Sequence, residues 1–163
     1  MRIVKNTKYV LVCFFVLMSE MIFGKYLEIG GVVPMLSFCL CLSTAFVEDE
    51  PRYIICQSIV LGVLLDAFSG RAIGTYTITF LLSSFATYMV KDKLFSSEVL
   101  LLICDVFVMT LFSAFVFWLF NVWNLGNGFF WMLRGIALPQ AVYNIVISLI
   151  FYYLLRKIFG RRR

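Results

Sequence analysis

The chain has 163 residues, of which 63% are hydrophobic, 18% aromatic and only 14% charged. An ordinary soluble domain carries about a quarter charged residues, so this composition excludes a normal water-facing surface. The mean hydropathy of +0.98 instead indicates that lipid is the solvent, and the short polar breaks leave no room for a separate soluble domain.

Long apolar segments predict an all-α membrane protein with about six transmembrane helices. A hydrocarbon core of about 30 Å requires about 20 apolar residues per helix, and the segments lack the two-residue alternation of barrel strands. Residues 1–163 are therefore predicted to form a single integral membrane domain. A five-span arrangement stays open, because the break between the first two segments is thin. The six predicted spans cover residues 9–27, 31–47, 53–70, 72–90, 98–122 and 132–155.

Lysine and arginine residues predict the orientation of the chain. Basic residues near span ends resist translocation across the membrane. With the amino terminus inside, 11 of the 14 Lys and Arg residues fall on the cytoplasmic side and 3 fall outside. We therefore expect both termini in the cytoplasm and an even number of spans. Attraction to anionic lipid headgroups explains the basic pI near 9.0 without nucleic acid as a partner.

Three acidic residues lie within the predicted spans: Glu20, Asp66 and Asp105. The chain has no histidine, which excludes serine–histidine, cysteine–histidine and histidine–zinc chemistry. An enzyme would have to use these carboxylates, but no GxGD stretch of an intramembrane aspartyl protease is present. We therefore expect no enzyme activity, cofactor or metal. A carboxylate within a bilayer usually faces the bundle interior or a partner, so each acid predicts a structural or functional contact.

The segment GVLLDAFSGRAIG, residues 62–74, lies at the junction of predicted spans three and four. Gly62, Asp66 and Gly70 recur every fourth residue and share one helix face. Small residues on such a face allow another helix to approach closely. Gly70 and Gly74 have GxxxG spacing, but this spacing crosses the turn, so it does not predict a dimer contact.

Asp66 is predicted to clamp the turn between spans three and four. It lies near the carboxyl end of its helix, where the helix dipole disfavours a negative charge, so it requires a nearby donor or cation. Arg71 follows the break and could reach back, and Arg134 could approach from another outer loop. A structural clamp is preferred to a chemical role for this carboxylate.

The last predicted span contains Pro139 and Asn144. Proline removes a backbone donor, so Pro139 is expected to kink or interrupt the helix and to leave Phe129–Leu138 as a tilted or interfacial start. Asn144 is polar at membrane depth. We expect it to bond a neighbouring helix or the carbonyls that Pro139 frees.

Because the loops are short, contacts with partners are expected to occur mainly by lateral helix packing. Three candidate surfaces follow from the sequence. They are the Ser58–Gly62–Asp66–Gly70 face, the Ser113–Ala114 patch and the acidic turn Glu48–Asp49–Glu50, for which a solvated loop is preferred.

The order and spacing of these features resemble the MreD family of bacterial rod shape-determining proteins. The resemblance rests on the chain length, about six spans, the segment at 62–74 and LPQAVYNIVISLIFYYLLRK at 138–157. It implies a non-enzymatic subunit of the elongation machinery that builds lateral-wall peptidoglycan, located in the bacterial cytoplasmic membrane. The partners implied are MreC and, through it, RodA, a class B penicillin-binding transpeptidase and MreB.

A second function class stays open. The MreD family is similar in architecture to the substrate-binding subunits of energy-coupling-factor vitamin transporters. Such a subunit needs an outward pocket with convergent polar groups and an alanine-spaced face on its first helix. Residues 9–27 contain no alanine, and Ala137 and Ala141 lie in the last span, so the transporter is the alternative. A holin or channel is disfavoured because few polar residues could line a pore.

Overall fold

The structure, a computed structural model, describes residues 2–24, 26, 28, 32–69, 74–91, 98–125 and 129–159. The described chain is helical and contains no β-strand, which confirms the predicted all-α class. One π-helical turn, Leu133–Ala137, joins the last two helices without a break. The α-helices are α1 (Arg2–Phe23), α2 (Leu36–Val47), α3 (Pro51–Ser69), α4 (Thr75–Val90), α5 (Glu98–Leu125), α6 (Phe129–Met132) and α7 (Leu138–Phe159).

Three helical segments are long and apolar enough to cross a membrane: Pro51–Ser69, Glu98–Phe120 and Leu133–Ile158. Two shorter apolar helices cover Tyr9–Ile22 and Leu36–Val47. Large apolar side chains lie exposed on several of these helices, with exposed fractions of 73% for Phe15 and 63% for Val142. Continuous exposed apolar faces suit lipid better than water. The chain is accordingly a membrane protein, and the count of six spans stays a prediction.

Helix α2 lies at the centre of the bundle. All of its residues except Leu36 are buried, and it contacts α1, α3, α4, α5 and α7. A helix that is apolar on all sides is expected to be buried in this way. Its 12 residues reach only about 18 Å, which is shorter than a bilayer core. Within the predicted span 31–47, α2 begins at Leu36, and Val32–Met35 precede it as non-helical chain.

Helices α3 and α4 form the most extensive helix contact in the described chain. The small-residue face of α3 lies against α4. The Ser58 and Ser84 hydroxyls are 2.9 Å apart, and a Cβ atom on Gly62 would lie only 2.5 Å from the Cα of Thr77. A side chain at position 62 would collide with the backbone of α4. Glycine at this position therefore allows the close approach of the two helices.

Pro139 does not interrupt the last helix. The chain is helical from Phe129 to Phe159, and the π turn Leu133–Ala137 lies immediately before the proline. The Leu138 amide donates to the Leu133 carbonyl, five residues back, as a π turn requires. This wider turn removes the clash that the proline ring would cause in a regular helix. The expected break is thus replaced by a local change of helix type.

Candidate functional site: polar contacts between the helices

The carboxylate of Asp66 caps the amino terminus of α4. Its Oδ2 accepts hydrogen bonds from the Gly74 amide at 3.0 Å, the Thr77 amide at 3.1 Å and the Thr77 hydroxyl at 2.6 Å. Its Oδ1 accepts from the Tyr76 amide at 2.9 Å. The first amides of a helix have no intrahelical partners, and the helix dipole is positive there. Asp66, on the preceding helix, thus supplies the side-chain cap of α4.

The turn that Asp66 caps includes Gly74, which has a φ of +96°. This left-handed conformation favours glycine, because a Cβ atom makes it sterically costly. Gly74 is the N-cap of α4 and contributes one of the four donors to Asp66. The backbone of the turn therefore brings its amides to the carboxylate.

Of the two cations proposed as partners of Asp66, Arg134 is not a ligand of it in the described chain. Arg134 is exposed on the π turn, and among the described residues it forms no ion pair with Asp66. Arg71 and Gly70 lie outside the described residues. Backbone amides and a hydroxyl thus provide donors to Asp66. The predicted clamp role stays a proposal that mutation can test.

A polar stripe runs along α7 at four-residue intervals and faces α2. The Gln140 side-chain amide donates to the Val33 carbonyl at 3.0 Å, and the Ser43 hydroxyl donates to the Ser148 carbonyl at 3.0 Å. Asn144 lies between these two contacts. Residues four apart lie on one face of a helix, so the stripe forms a continuous seam with α2. We call this set, Gln140, Asn144 and Ser148, the α7 ladder.

Asn144 connects three elements and is completely buried. Its Oδ1 accepts from the Met35 amide at the start of α2, at 3.2 Å, and its Nδ2 donates to the Thr110 hydroxyl of α5, at 3.2 Å. The Cys39 thiol donates to the backbone carbonyl of Asn144 at 3.5 Å. The Asn144 side chain therefore bonds neighbouring helical elements, which is the first of the two expected arrangements. The carbonyls near Pro139 are not its partners. Its importance for function stays a proposal.

The same face of α7 continues to the other end of the helix. The Tyr152 hydroxyl donates to Glu98 Oε2 at 2.5 Å, and Arg156 donates to the same oxygen at 3.2 Å. Glu98 is the first residue of α5, where a negative charge suits the helix dipole. This contact joins the start of α5 to the end of α7.

Glu20 supplies a cap to the central helix. Its Oε2 accepts a hydrogen bond from the Ser37 amide at 2.8 Å, in the first turn of α2. Met35, the N-cap residue of α2, forms no side-chain cap hydrogen bond. The amino terminus of α2 is therefore satisfied from outside, by Glu20 of α1 and by Asn144 of α7.

Asp105 contacts α4 and lies far from Asp66. Its Oδ2 accepts from the Thr87 hydroxyl at 2.7 Å, whereas Asp66 binds Thr77 on the same helix. Positions ten residues apart on a helix are separated by about 15 Å. The two carboxylates therefore cannot share a proton as an aspartyl protease dyad. No group of three Cys, Asp or Glu residues in the described ranges is arranged to hold a metal ion.

A solvated loop is the sequence-based expectation for the acidic turn after α2, but the turn is only partly solvated. Glu48 is buried and accepts a hydrogen bond from the Tyr9 hydroxyl at 2.5 Å, while the Lys91 ammonium donates to the Glu48 carbonyl at 2.5 Å. Lys91 also lies 3.6 Å from the Asp49 carboxylate, which is exposed. The turn thus connects α1 and α4 to the end of α2. Tyr9 and Lys91, both distant from Glu48 in the sequence, contact it and explain its burial.

The described residues of the first two candidate docking surfaces, which exclude Gly70, are also packed within this chain. The exposed fractions are 1% for Ser58 and 5% for Asp66, and Gly62 contacts α4. Ser113 and Ala114 are exposed by only 1% and 6%. Small residues do indicate close helix packing here, but their partner is another helix of the same chain. A docking partner must therefore use other surfaces.

Sequence reasoning predicted a contact for Glu20 without naming its partner, and it did not identify Gln140, Ser148 or Glu98 as contact residues. The four-residue spacing of polar residues from Gln140 to Arg156 was an available signal for the α7 face. No local signal reveals that Glu20 caps a helix that begins sixteen residues later.

Comparison with known proteins identifies a family. The family model described as rod shape-determining protein MreD matches residues 2–162, all but the first and the last residue. Neither the curated proteins nor the solved structures contain a match. The expected likeness to transporter subunits therefore stays a prediction.

Proposed function

The chain belongs to the rod shape-determining protein MreD family, and from this membership we propose that it is a non-enzymatic membrane subunit of the bacterial cell-elongation complex. The resemblance stated for residues 62–74 and 138–157 is confirmed at the level of the family. The match over nearly the whole chain is the observation that carries the proposal. The separation of Asp66 from Asp105 supports the non-enzymatic assignment.

The proposed topology has six spans, with both termini on the cytoplasmic side of the bacterial cytoplasmic membrane. The basic residues of the polar breaks support this orientation, since 11 of 14 fall on one side. Reporter fusions test it. Alkaline phosphatase is active only outside the cytoplasm, so a fusion after Arg163 should be inactive and one at Arg71 should be active. The reverse result would contradict the orientation.

We propose MreC as the direct partner, with RodA, the class B transpeptidase and MreB joined through it. The apolar faces exposed to lipid support lateral docking, because they are the large surfaces that the chain leaves uncovered. Photo-crosslinking residues on exposed faces, such as Phe15, Val63 and Val146, should yield an adduct with MreC on at least one face. The buried position Ser58 is the control and should yield none. Absence of an adduct from every exposed face would contradict the partner.

The shape role itself is tested by depletion and complementation. Removal of the chain from its bacterium should convert rods into wide or round cells, and the wild-type gene should restore rod width. A normal rod shape after complete removal would contradict the proposed function. The vitamin-transporter alternative gains no support, because the side chains of Gln140 and Asn144 bond backbone groups of the same chain rather than converge on a pocket.

A further inference from the structure

A lateral groove of about 490 Å³ lies between α1 and α3, along Tyr9–Leu17 of α1 and Arg52–Leu64 of α3. Tyr9 and Tyr53 line one end, and Leu17 and Leu64 line the other. The lining is predominantly apolar, and the groove opens to the side of the bundle. Gln57 is a polar residue within it, midway between the two ends.

The side-chain amide of Gln57 has no hydrogen-bond partner. The residue is 7% exposed, and neither its Nε2 nor its Oε1 is bonded. A buried polar group left unpaired is costly, and native structures rarely leave both ends of a side-chain amide unpaired. The amide lines the groove, so a molecule that occupies the groove can provide the missing partners.

The length and volume of the groove fit one lipid chain. From Tyr53 to Leu64 the helix rises about 17 Å, roughly half of a hydrocarbon core of about 30 Å, which corresponds to one leaflet. A methylene group takes about the volume of one water molecule, about 30 Å³, so the groove holds roughly 16 of them. A transmembrane helix would cross both leaflets, whereas the groove extends over the depth of one.

The end of the groove at Tyr53 has the chemistry of the headgroup layer. The rings of Tyr9 and Tyr53 stack with centroids 5.4 Å apart. Arg52 also lines the groove, and its guanidinium lies 5.8 Å from the Tyr53 ring centre and 2.5 Å from a Glu50 oxygen. Arg52 contacts this oxygen with two of its nitrogens, Nε and Nη2, which leaves the other guanidinium donors for a second anion. Tyrosine and arginine are typical of the interface, and cations there attract anionic lipids.

We propose that this groove binds one anionic glycerophospholipid, with an acyl chain between α1 and α3. The phosphate lies at Arg52, and an ester carbonyl accepts a hydrogen bond from Gln57 Nε2. Water or a hydroxyl of the headgroup layer supplies a donor to Gln57 Oε1. The site does not depend on which complex the protein serves. The proposed topology puts the Arg52 end of the groove on the cytoplasmic side, so the placement of the lipid in the cytoplasmic leaflet rests on that topology.

Native mass spectrometry of the full chain, released from detergent micelles after purification from membranes that contain phosphatidylglycerol and phosphatidylethanolamine, tests the site. The wild-type chain should retain one phospholipid, enriched in phosphatidylglycerol over its share of the membrane. Val60→Trp fills the groove and should lower the retained lipid at least ten-fold. Val63→Trp is the matched control, because Val63 is equally exposed on the same helix but does not line the groove; it should retain lipid as wild type does.

Gln57→Leu keeps the side-chain size and removes the amide, so it should lower retention about five-fold, which is about 1 kcal/mol. Leu64→Trp repeats the filling test at the far end if Val60→Trp does not fold. Retention of no phospholipid by the wild-type chain, or equal loss in Val63→Trp, would overturn the site. Full retention of lipid in both filled variants would also overturn it. So would a filled variant that keeps its lipid but loses a membrane protein that co-purifies with the wild-type chain. A chain that supports rod shape but retains no lipid would overturn the site and leave the family role intact.

Discussion

Replacement of Asp66 by asparagine should destabilise the bundle substantially. The amide has one oxygen, so it can accept the three hydrogen bonds of Oδ2 or the one of Oδ1, but not all four. In the better arrangement the Tyr76 amide faces an NH₂ group and is left unpaired, at a cost of about 1–3 kcal/mol. The other three bonds lose the strength that the charge provides. We expect a total loss of about 2–4 kcal/mol.

Asp105→Asn is the matched control for Asp66→Asn, since both carboxylates are buried and both contact α4. Asp105 accepts a hydrogen bond from the Thr87 hydroxyl, and an asparagine oxygen can still accept it. The expected loss is about 1 kcal/mol or less. The difference between the two variants therefore measures the contribution of the helix cap and not the general effect of removing a buried charge.

Both variants can be measured by reversible unfolding of the purified chain in mixed micelles, with the fraction of sodium dodecyl sulfate increased and helicity followed by circular dichroism. The proposed cap would be contradicted if the unfolding free energy of Asp66→Asn stayed within about 0.5 kcal/mol of wild type, or if Asp105→Asn were equally destabilising. Complementation of cell shape by Asp66→Asn should weaken together with stability. Full stability and full function would show that the clamp is unnecessary.

Three further contacts are tested by variants in the same unfolding assay. Gly62→Ala should cost about 1–3 kcal/mol, because its Cβ would meet the α4 backbone at 2.5 Å, whereas Gly135→Ala should be near neutral, because a Cβ there has no neighbour within 4 Å. Asn144→Leu should cost about 2–3 kcal/mol by leaving the Met35 amide unpaired, and a cost below about 0.5 kcal/mol would contradict the role of the α7 ladder. Glu20→Leu should cost about 1 kcal/mol as the α2 cap is lost, and an unchanged midpoint would count against that cap.

The sequence predicted the elements of the α3–α4 hairpin better than the partners within it. The periodic Gly62 and Asp66 placed a close-packed face and a carboxylate at the correct turn. It did not predict that backbone amides would be the donors to Asp66, since every residue other than proline carries this group and no pattern distinguishes the amides of one turn from those of another. Small residues likewise indicate close packing without saying whether the partner helix belongs to the same chain.

The contacts of α2 were the least predictable. Its amino terminus is satisfied by side chains from α1 and α7, and Asn144 is 109 residues from the Met35 amide that it binds. Hydropathy alone indicated one apolar run, 31–47, and did not reveal that Val32–Met35 are non-helical. Glu48 illustrates the same limit, because a charged residue in an acidic turn is buried only when partners such as Tyr9 and Lys91 arrive from elsewhere.

The α7 ladder has a consequence for the biosynthesis of the protein. The Val33 carbonyl and the Met35 amide bind side chains that the ribosome adds more than a hundred residues later. Until α7 is made, these backbone groups lack those partners, and unpaired backbone groups are not tolerated in hydrocarbon. Final burial of the short central helix must therefore wait for α7 to insert, so the bundle closes only after α7 has been synthesised.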